Sequence, residues 1–209
     1  VSEAKRIVVL SAGLRIPSST RLLADRLAEA TARELEALGE KPQVNTLEVR
    51  EYARAALNHL LVGFPSGEFR EVLDEVSAAD GLIVVTPTFA GTYSSLIKMF
   101  IDVLDEEALV GKPVLIAASG GTGRHSLMLE HAMRPMFTYL RAAVMPTAVF
   151  AAPEDWGAGN TAEGTLRRRL DRAAGELSAE VHRRDPAKAF DPFADAPDFD
   201  ALIARELGD

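Results

Sequence analysis

Ile7-Val8-Val9-Leu10-Ser11-Ala12-Gly13-Leu14-Arg15-Ile16-Pro17-Ser18-Ser19-Thr20 is the stretch on which the fold of this 209-residue chain turns. Its four consecutive apolar residues show no polar alternation. Both faces of that strand must therefore be covered, as in a parallel sheet between helices. The run ends in small residues, and Ser19-Thr20 then caps a helical pattern running to about Leu38. Leu22, Leu23, Leu27 and Leu35 lie roughly on one face of it, and Gly39 is its stop. A strand that passes through a tight loop into a helix is the first half of a βα unit.

The same alternation continues outward. Gln43 to Val49 is a weaker, alternating strand; Leu82-Ile83-Val84-Val85, Val114-Leu115-Ile116-Ala117-Ala118 and Ala143 to Phe150 are again apolar. Helical patterns separate them. Phe69, Val72, Leu73 and Val76 form a short stripe, Ser94 to Glu107 a second helix, and Met128 to Ala142 a third with Pro135 as a kink. The last helix starts at Asn160, whose spacing to Glu163 suggests a capping box, and carries Leu166, Leu170, Ala173, Leu177 and Val181. This order predicts an α/β doubly wound sandwich: a five-stranded parallel sheet with helices on both faces. After Asp185-Pro186 the composition changes, with Phe190, Pro192, Phe193, Pro197 and Phe199 spread among acidic residues and a short helix at Ala201 to Leu207. The expected organisation is one domain over 1–185 and an arm over 186–209 that packs on that domain or on a neighbouring subunit.

Composition removes several function classes. Asp+Glu outnumber Lys+Arg by 31 to 23, a formal charge of −8. Such a surface disfavours nucleic acid and anionic membrane. With no cysteine, disulfides, thiolate metal sites and cysteine nucleophiles are excluded together. Val1 to Arg6 leads straight into a strand without a signal-peptide core, and the apolar stretch Ala142 to Ala152 is shorter than the roughly 20 residues a membrane helix needs. The expectation is a soluble, cytoplasmic protein.

In an open parallel sheet, ligands bind at the carboxyl ends of the strands. Three loops leave the sheet there. The first places the hydroxyls of Ser18, Ser19 and Thr20 beside the unpaired N–H groups of a helix N-terminus and adds Arg15, which suits a phosphate monoester; an ordinary serine cap explains the same residues. It has neither Gly-Lys-Ser/Thr nor G-x-G-x-x-G, so nucleotide triphosphate hydrolysis and a Rossmann dinucleotide site are disfavoured. The second, Thr86 to Ser95, offers exposed N–H groups and an aromatic edge to a flat heterocycle, or serves as a plain hinge. The third, Ser119 to Ser126, is glycine-rich and allows close backbone approach, or is simply a surface loop.

Together the three loops form an arrangement that holds a phosphorylated planar ring, and here the sequence resembles a known family. Ser11 to Leu27, Thr86-Pro87-Thr88-Phe89 through Lys98 and Asp102, and Gly120-Gly121-Thr122-Gly123-Arg124-His125 are similar to the NAD(P)H-dependent FMN reductases of the flavodoxin-like fold, especially an actinobacterial-type branch. The resemblance runs over residues 5–185. It implies that Ser11, Arg15, Ser18, Ser19 and Thr20 hold the FMN phosphate. Pro87, Thr88, Phe89, Ala90, Gly91 and Thr92 then line the ring and ribityl chain, and Ser119, Gly120, Gly121 and Thr122 border its pyrimidine end. His125 is added as a contact to flavin or nicotinamide. Where many relatives have Gly-Ser-x-Arg and Tyr-Asn, this chain has Ala12-Gly13-Leu14-Arg15 and Phe89-Ala90, which suits an enzyme that takes flavin up and releases it.

The resemblance therefore implies hydride transfer from NADPH or NADH to FMN N5, with the cofactor carrying the chemistry and no catalytic acid or base in the protein. It also implies a homodimer or homotetramer, and a flavin-dependent monooxygenase as recipient of the product. The alternatives are an FMN-retaining quinone or azo reductase, and an electron carrier that does not oxidise pyridine nucleotide. Other residues read as structural: Lys98 and Asp102 as an ion pair, Arg167-Arg168-Arg169 as a solvated face, Trp156 as packing, and Leu60 to Phe64 as an apolar loop. His125, Glu130 and His131 lack metal-pair spacing.

Overall fold

The computed structural model of the chain describes residues 4–156 and 160–185, with the side chains of 160–163 outside that description. The expected capping box of Asn160 and Glu163 and the arm over 186–209 therefore lie outside the described residues. Five strands form the sheet in the order β2-β1-β3-β5-β6, where β1 is Lys5–Ser11, β2 Pro42–Glu48, β3 Gly81–Phe89, β5 Pro113–Ser119 and β6 Ala143–Val144. These pairings are all parallel, with Val9 opposite both Thr46 and Ile83, and Val84 opposite Ile116. A two-residue strand β4, Thr92–Tyr93, folds back antiparallel on β3, and β7, Val149–Ala151, pairs in parallel with β5. The doubly wound sandwich is the architecture expected.

Pleating divides each strand between two cores. Ile7 and Val9 of β1, Ile83 and Val85 of β3, and Leu115 and Ala117 of β5 pack under α1 (Ser19–Ala37) and α6 (Asn160–His182). Val8 and Leu10, Leu82 and Val84, and Val114 and Ile116 face the other layer: α2 (Ala53–Val62), α3 (Gly67–Ala78), α4 (Ser95–Ile101) and α5 (Arg134–Tyr139). This is why the central strands read as unbroken apolar runs. At the amino edge of the sheet, the buried Lys112 donates to the carbonyls of Ser77 at 2.9 Å and Ala79 at 2.6 Å, closing the C-terminus of α3. Burial lowers the pKa of that amine from 10.5 to about 8. No helix among the described residues is long and apolar enough to cross a membrane.

Several elements differ from expectation. Leu60 to Phe64 is not a loop: its first three residues end α2, and Gly63 terminates the helix at φ +89°, donating its N–H to the His59 carbonyl. The run Ala143 to Phe150 is two strands rather than one. Pro146 has no N–H to pair, the Arg134 guanidinium binds the Met145 and Pro146 carbonyls, and Glu176 takes Thr147. The helix expected over Ser94 to Glu107 stops at Ile101. The helix expected over Met128 to Ala142 opens with a π-turn at Leu129–Met133, and Pro135 sits in the first turn of α5, where a missing N–H is harmless. Arg169 is not on a solvated face; it turns inward to the Phe150 carbonyl and to Asp155. The Lys98–Asp102 pair forms as expected, at 2.5 Å.

Candidate functional site

The carboxyl ends of β1, β3 and β5 open into a cleft of about 710 Å³, lined by all three loops singled out in the sequence. Arg15, Ser18, Ser19 and Thr20 come from the first loop, Pro87, Thr88 and Phe89 from the second, and Ser119, Gly120 and Gly121 from the third. Three further lining residues, Leu14, Pro17 and Pro153, were not anticipated. Pro153 follows β7, so the strand-end rule that located the other loops applies to it too.

Local chemistry fixes the first loop. Ser18, not Ser19, is the N-cap of α1: its backbone is extended and its Oγ accepts the Arg21 N–H at 3.2 Å. Gly13 lets the chain pass close to this cap. A Cβ there would sit well inside 3.0 Å of the Ser18 Oγ and 3.1 Å from its Cβ. Ala12 N–H donates to the Val85 carbonyl at 2.9 Å, so the loop rises directly from the sheet. The Ile16–Pro17 peptide is cis. Among the described residues, the exposed Arg15 guanidinium has no carboxylate within salt-bridge distance, whereas Arg21 is held by Asp25 at 2.7 Å and Glu48 at 2.8 Å. Glu48 first and Asp25 second raise the Arg21 pKa above its ordinary value.

Below the loops lies a floor of hydroxyls. Thr20 and Ser119 are buried and share a hydrogen bond of 2.8 Å, which ties the first loop to the third. The Oγ1 of Thr88, which lines the cleft, and the Oγ of Ser11, which is fully buried and does not line it, have no hydrogen-bond partner. Polar atoms left so are uncommon in folded proteins and fit a site that receives a polar ligand. The fit extends to the rest of the cleft, where helix N–H groups, a cation, an aromatic edge and two glycines converge. Arg15 is the only ionisable side chain among the described lining residues.

Besides Ser11, five sequence candidates do not line the cleft. Ala90 and Gly91 form the tip of the β3–β4 hairpin, both in the left-handed region at φ +48° and +79°. Thr92 starts β4. Thr122 caps a single 3-10 turn, accepting the Arg124 N–H at 3.4 Å, and His125 ends that turn exposed to solvent.

Comparison with known proteins places the chain in a family. Residues 5–157 match the family model of NADPH-dependent FMN reductases. The chain is similar to an FMN reductase (NADPH) of Pseudomonas aeruginosa, 33% identical over 84% of this chain and 91% of that protein. It is 32% identical to the NADH-dependent FMN reductase SfnF of Pseudomonas putida, over 83% and 91%. Among solved structures, an oxidoreductase from Corynebacterium diphtheriae superposes with a TM-score of 0.85 at 41% identity, covering 88% of this chain and all of that one. The apo form of the NADH:FMN oxidoreductase EmoB shares the fold, with a TM-score of 0.71 at 24% identity. On the family match over most of its length, the chain belongs to the NADPH-dependent FMN reductase family.

Proposed function

We propose that the cleft binds FMN reversibly, that NADPH or NADH reduces it there, and that reduced FMN leaves for a flavin-dependent monooxygenase. The enzyme class is that of the family, an NAD(P)H:FMN oxidoreductase. The observation that carries the reading is the cleft itself, where a helix N-terminus with the hydroxyls of Ser18 and Ser19 meets two backbone-rich loops and, among the described lining residues, no acidic or basic side chain but Arg15.

Bound FMN supplies the redox chemistry by accepting hydride from the nicotinamide; the protein supplies position and environment. Ser18 and Ser19 with the first N–H groups of α1 hold the phosphate, and Arg15 completes its charge. Thr88 offers the cofactor a hydroxyl that lacks a partner, whereas Ser11 is buried and does not line the cleft. Phe89 and the backbone of Gly120 and Gly121 flank the ring; a Cβ on Gly121 would stand in open space, so its absence allows close approach, while Gly120 is small because Phe150 packs against it. Thr20 and Ser119 act as struts beneath. Ala90, Gly91, Thr92, Thr122 and His125 contribute from the rim. The exposed Leu57, Leu60, Leu61, Val62 and Phe64 on and beside α2 support a homodimer or homotetramer.

The test is oxidation of NADPH and of NADH with and without added FMN, followed by nicotinamide absorbance. Turnover that scales with free FMN is the expected result. FMN that never dissociates while quinone is reduced would assign the retaining reductase instead, and FMN binding without nucleotide oxidation would assign the electron carrier.

A further inference from the structure

The pleat of the sheet assigns each strand-end residue of the cleft to one of its two faces. Ile83, Val85, Leu115 and Ala117 pack under α1 and α6. Ser119, two positions after Ala117, faces the same way and meets Thr20 of α1 at 2.8 Å. Leu82 and Val84 pack into the opposite layer, so Thr86 and Thr88 follow them there. Thr86 shows that the alternation persists to the strand end: its Oγ1 accepts the N–H of Ser94, the N-cap of α4, at 3.0 Å. Thr88 therefore stands on the other face of the sheet from the N-terminus of α1, where Ser18 and Ser19 are assigned to the phosphate.

The hydroxyls around Thr88 are spoken for. Thr20, Thr86, Ser94 and Ser119 are buried, and each is hydrogen-bonded. Thr88 Oγ1 has no partner. It lies against Gly120, where a Cβ would stand 3.3 Å from it and 2.7 Å from the Phe150 ring. The residue as a whole is half-buried and lines the cleft. A buried hydroxyl without a partner costs free energy that valine, of the same branched shape, would not. Such a group fits a position where a ligand supplies the partner.

We propose that Thr88 recognises the flavin ring itself: its hydroxyl turns about χ1 into the cleft and hydrogen-bonds the polar edge of the isoalloxazine, independently of the phosphate. This rests on the reading of the cleft as a flavin site. One staggered step of χ1 exchanges the hydroxyl with the methyl, so the backbone of β3 need not move. A hydroxyl both donates and accepts, and so can meet a ring carbonyl or the ring N–H.

Stability and affinity then move in opposite directions when Thr88 becomes valine. The flavin-free Thr88→Val protein should melt about 2–4 °C above the wild type, because an unpaired hydroxyl is gone. Its affinities for FMN and for riboflavin, titrated by flavin fluorescence without any nucleotide, should both fall about tenfold. Thr88→Ser, which keeps the hydroxyl, should bind both flavins within about threefold of the wild type. Arg15→Gln, an exposed change on the phosphate side, should weaken FMN about tenfold and riboflavin less than about twofold.

Loss of FMN affinity in Thr88→Val with riboflavin unchanged would put the hydroxyl at the phosphate and overturn the proposal. So would a melting temperature no higher than that of the wild type, or failure of serine to restore binding. Wild-type protein that binds FMN but not saturating riboflavin overturns it too, since the ring then has no hold of its own. Wild-type protein that binds neither flavin refutes the reading of the cleft and this proposal with it. FMN binding that Thr88→Val leaves intact refutes the role of Thr88 alone.

Discussion

Replacing Gly13 by alanine tests how the first loop is built. The new Cβ falls well inside 3.0 Å of the Ser18 Oγ and 3.1 Å from the Ser18 Cβ, so the hydroxyl must leave and its carbon must give a few tenths of an ångström. The bond lost is the N-cap of α1, from the Arg21 N–H at 3.2 Å. Losing such a cap costs about 1 kcal/mol, and the shifted loop brings the total to about 1–2 kcal/mol. For a domain of this size that lowers Tm by about 2–8 °C. The same hydroxyl is assigned to the FMN phosphate, where a charge-assisted hydrogen bond of about 1.5–3 kcal/mol corresponds to a rise of about ten- to hundredfold in the FMN KM. The double variant Gly13→Ala/Ser18→Gly separates the two effects. Removing the side chain that clashes restores stability to within about 0.5 kcal/mol, because glycine is a tolerable N-cap, yet the FMN KM stays high because the hydroxyl is gone. Urea unfolding and steady-state kinetics on the four proteins of the cycle decide it. A Gly13→Ala protein that melts with the wild type, or a double variant no more stable than Gly13→Ala, would refute this account of the loop.

Ser119→Ala leaves the buried Thr20 hydroxyl without its partner and should destabilise by about 1–3 kcal/mol, whereas Thr20→Val/Ser119→Ala should be nearer neutral; urea midpoints around that cycle check it. Ala90 holds φ +48°, so Ala90→Gly relieves about 1–2 kcal/mol of left-handed strain against about 0.5–1 kcal/mol of chain entropy, a net rise of about 0.5–1 kcal/mol visible as a higher Tm. Lys112 has its pKa lowered from 10.5 to about 8 by burial, so between those values the unfolded chain binds more protons than the folded one, and stability rises with pH across that window. Relative to Lys112→Met, the wild type should gain about 3 kcal/mol from pH 8 to 10.5 in urea unfolding, and parallel pH profiles would show that Lys112 is not the source.

The layered sheet was legible because its causes are local: unbroken apolar runs at β1, β3 and β5 can be satisfied only by cover on both faces, and the cap expected at Ser19-Thr20, one residue from the true cap Ser18, and the stop at Gly39 mark the helix ends within a few residues. The three loops of the cleft were legible for the same reason, since the strand-end rule needs only the strands. Elements whose stability comes from distant partners were not. Val144 and Val149 look like one strand until Arg134 and Glu176, from α5 and α6, draw the intervening carbonyls and N–H out of the ladder. α2 shows too weak an apolar stripe to announce itself, with Ala56 its one buried residue, and reads as a loop. Arg169 belongs to a basic triplet in sequence, yet the carboxylate of Asp155 and the Phe150 carbonyl turn it inward. That the Thr20 and Ser119 hydroxyls meet, 99 positions apart, and that Arg26 lies over Trp156, follow from the helix–sheet packing that brings α1 against β5 and α6. Sequence periodicity states which face of a segment must be buried; only the packed structure states against which polar atoms its ends come to rest.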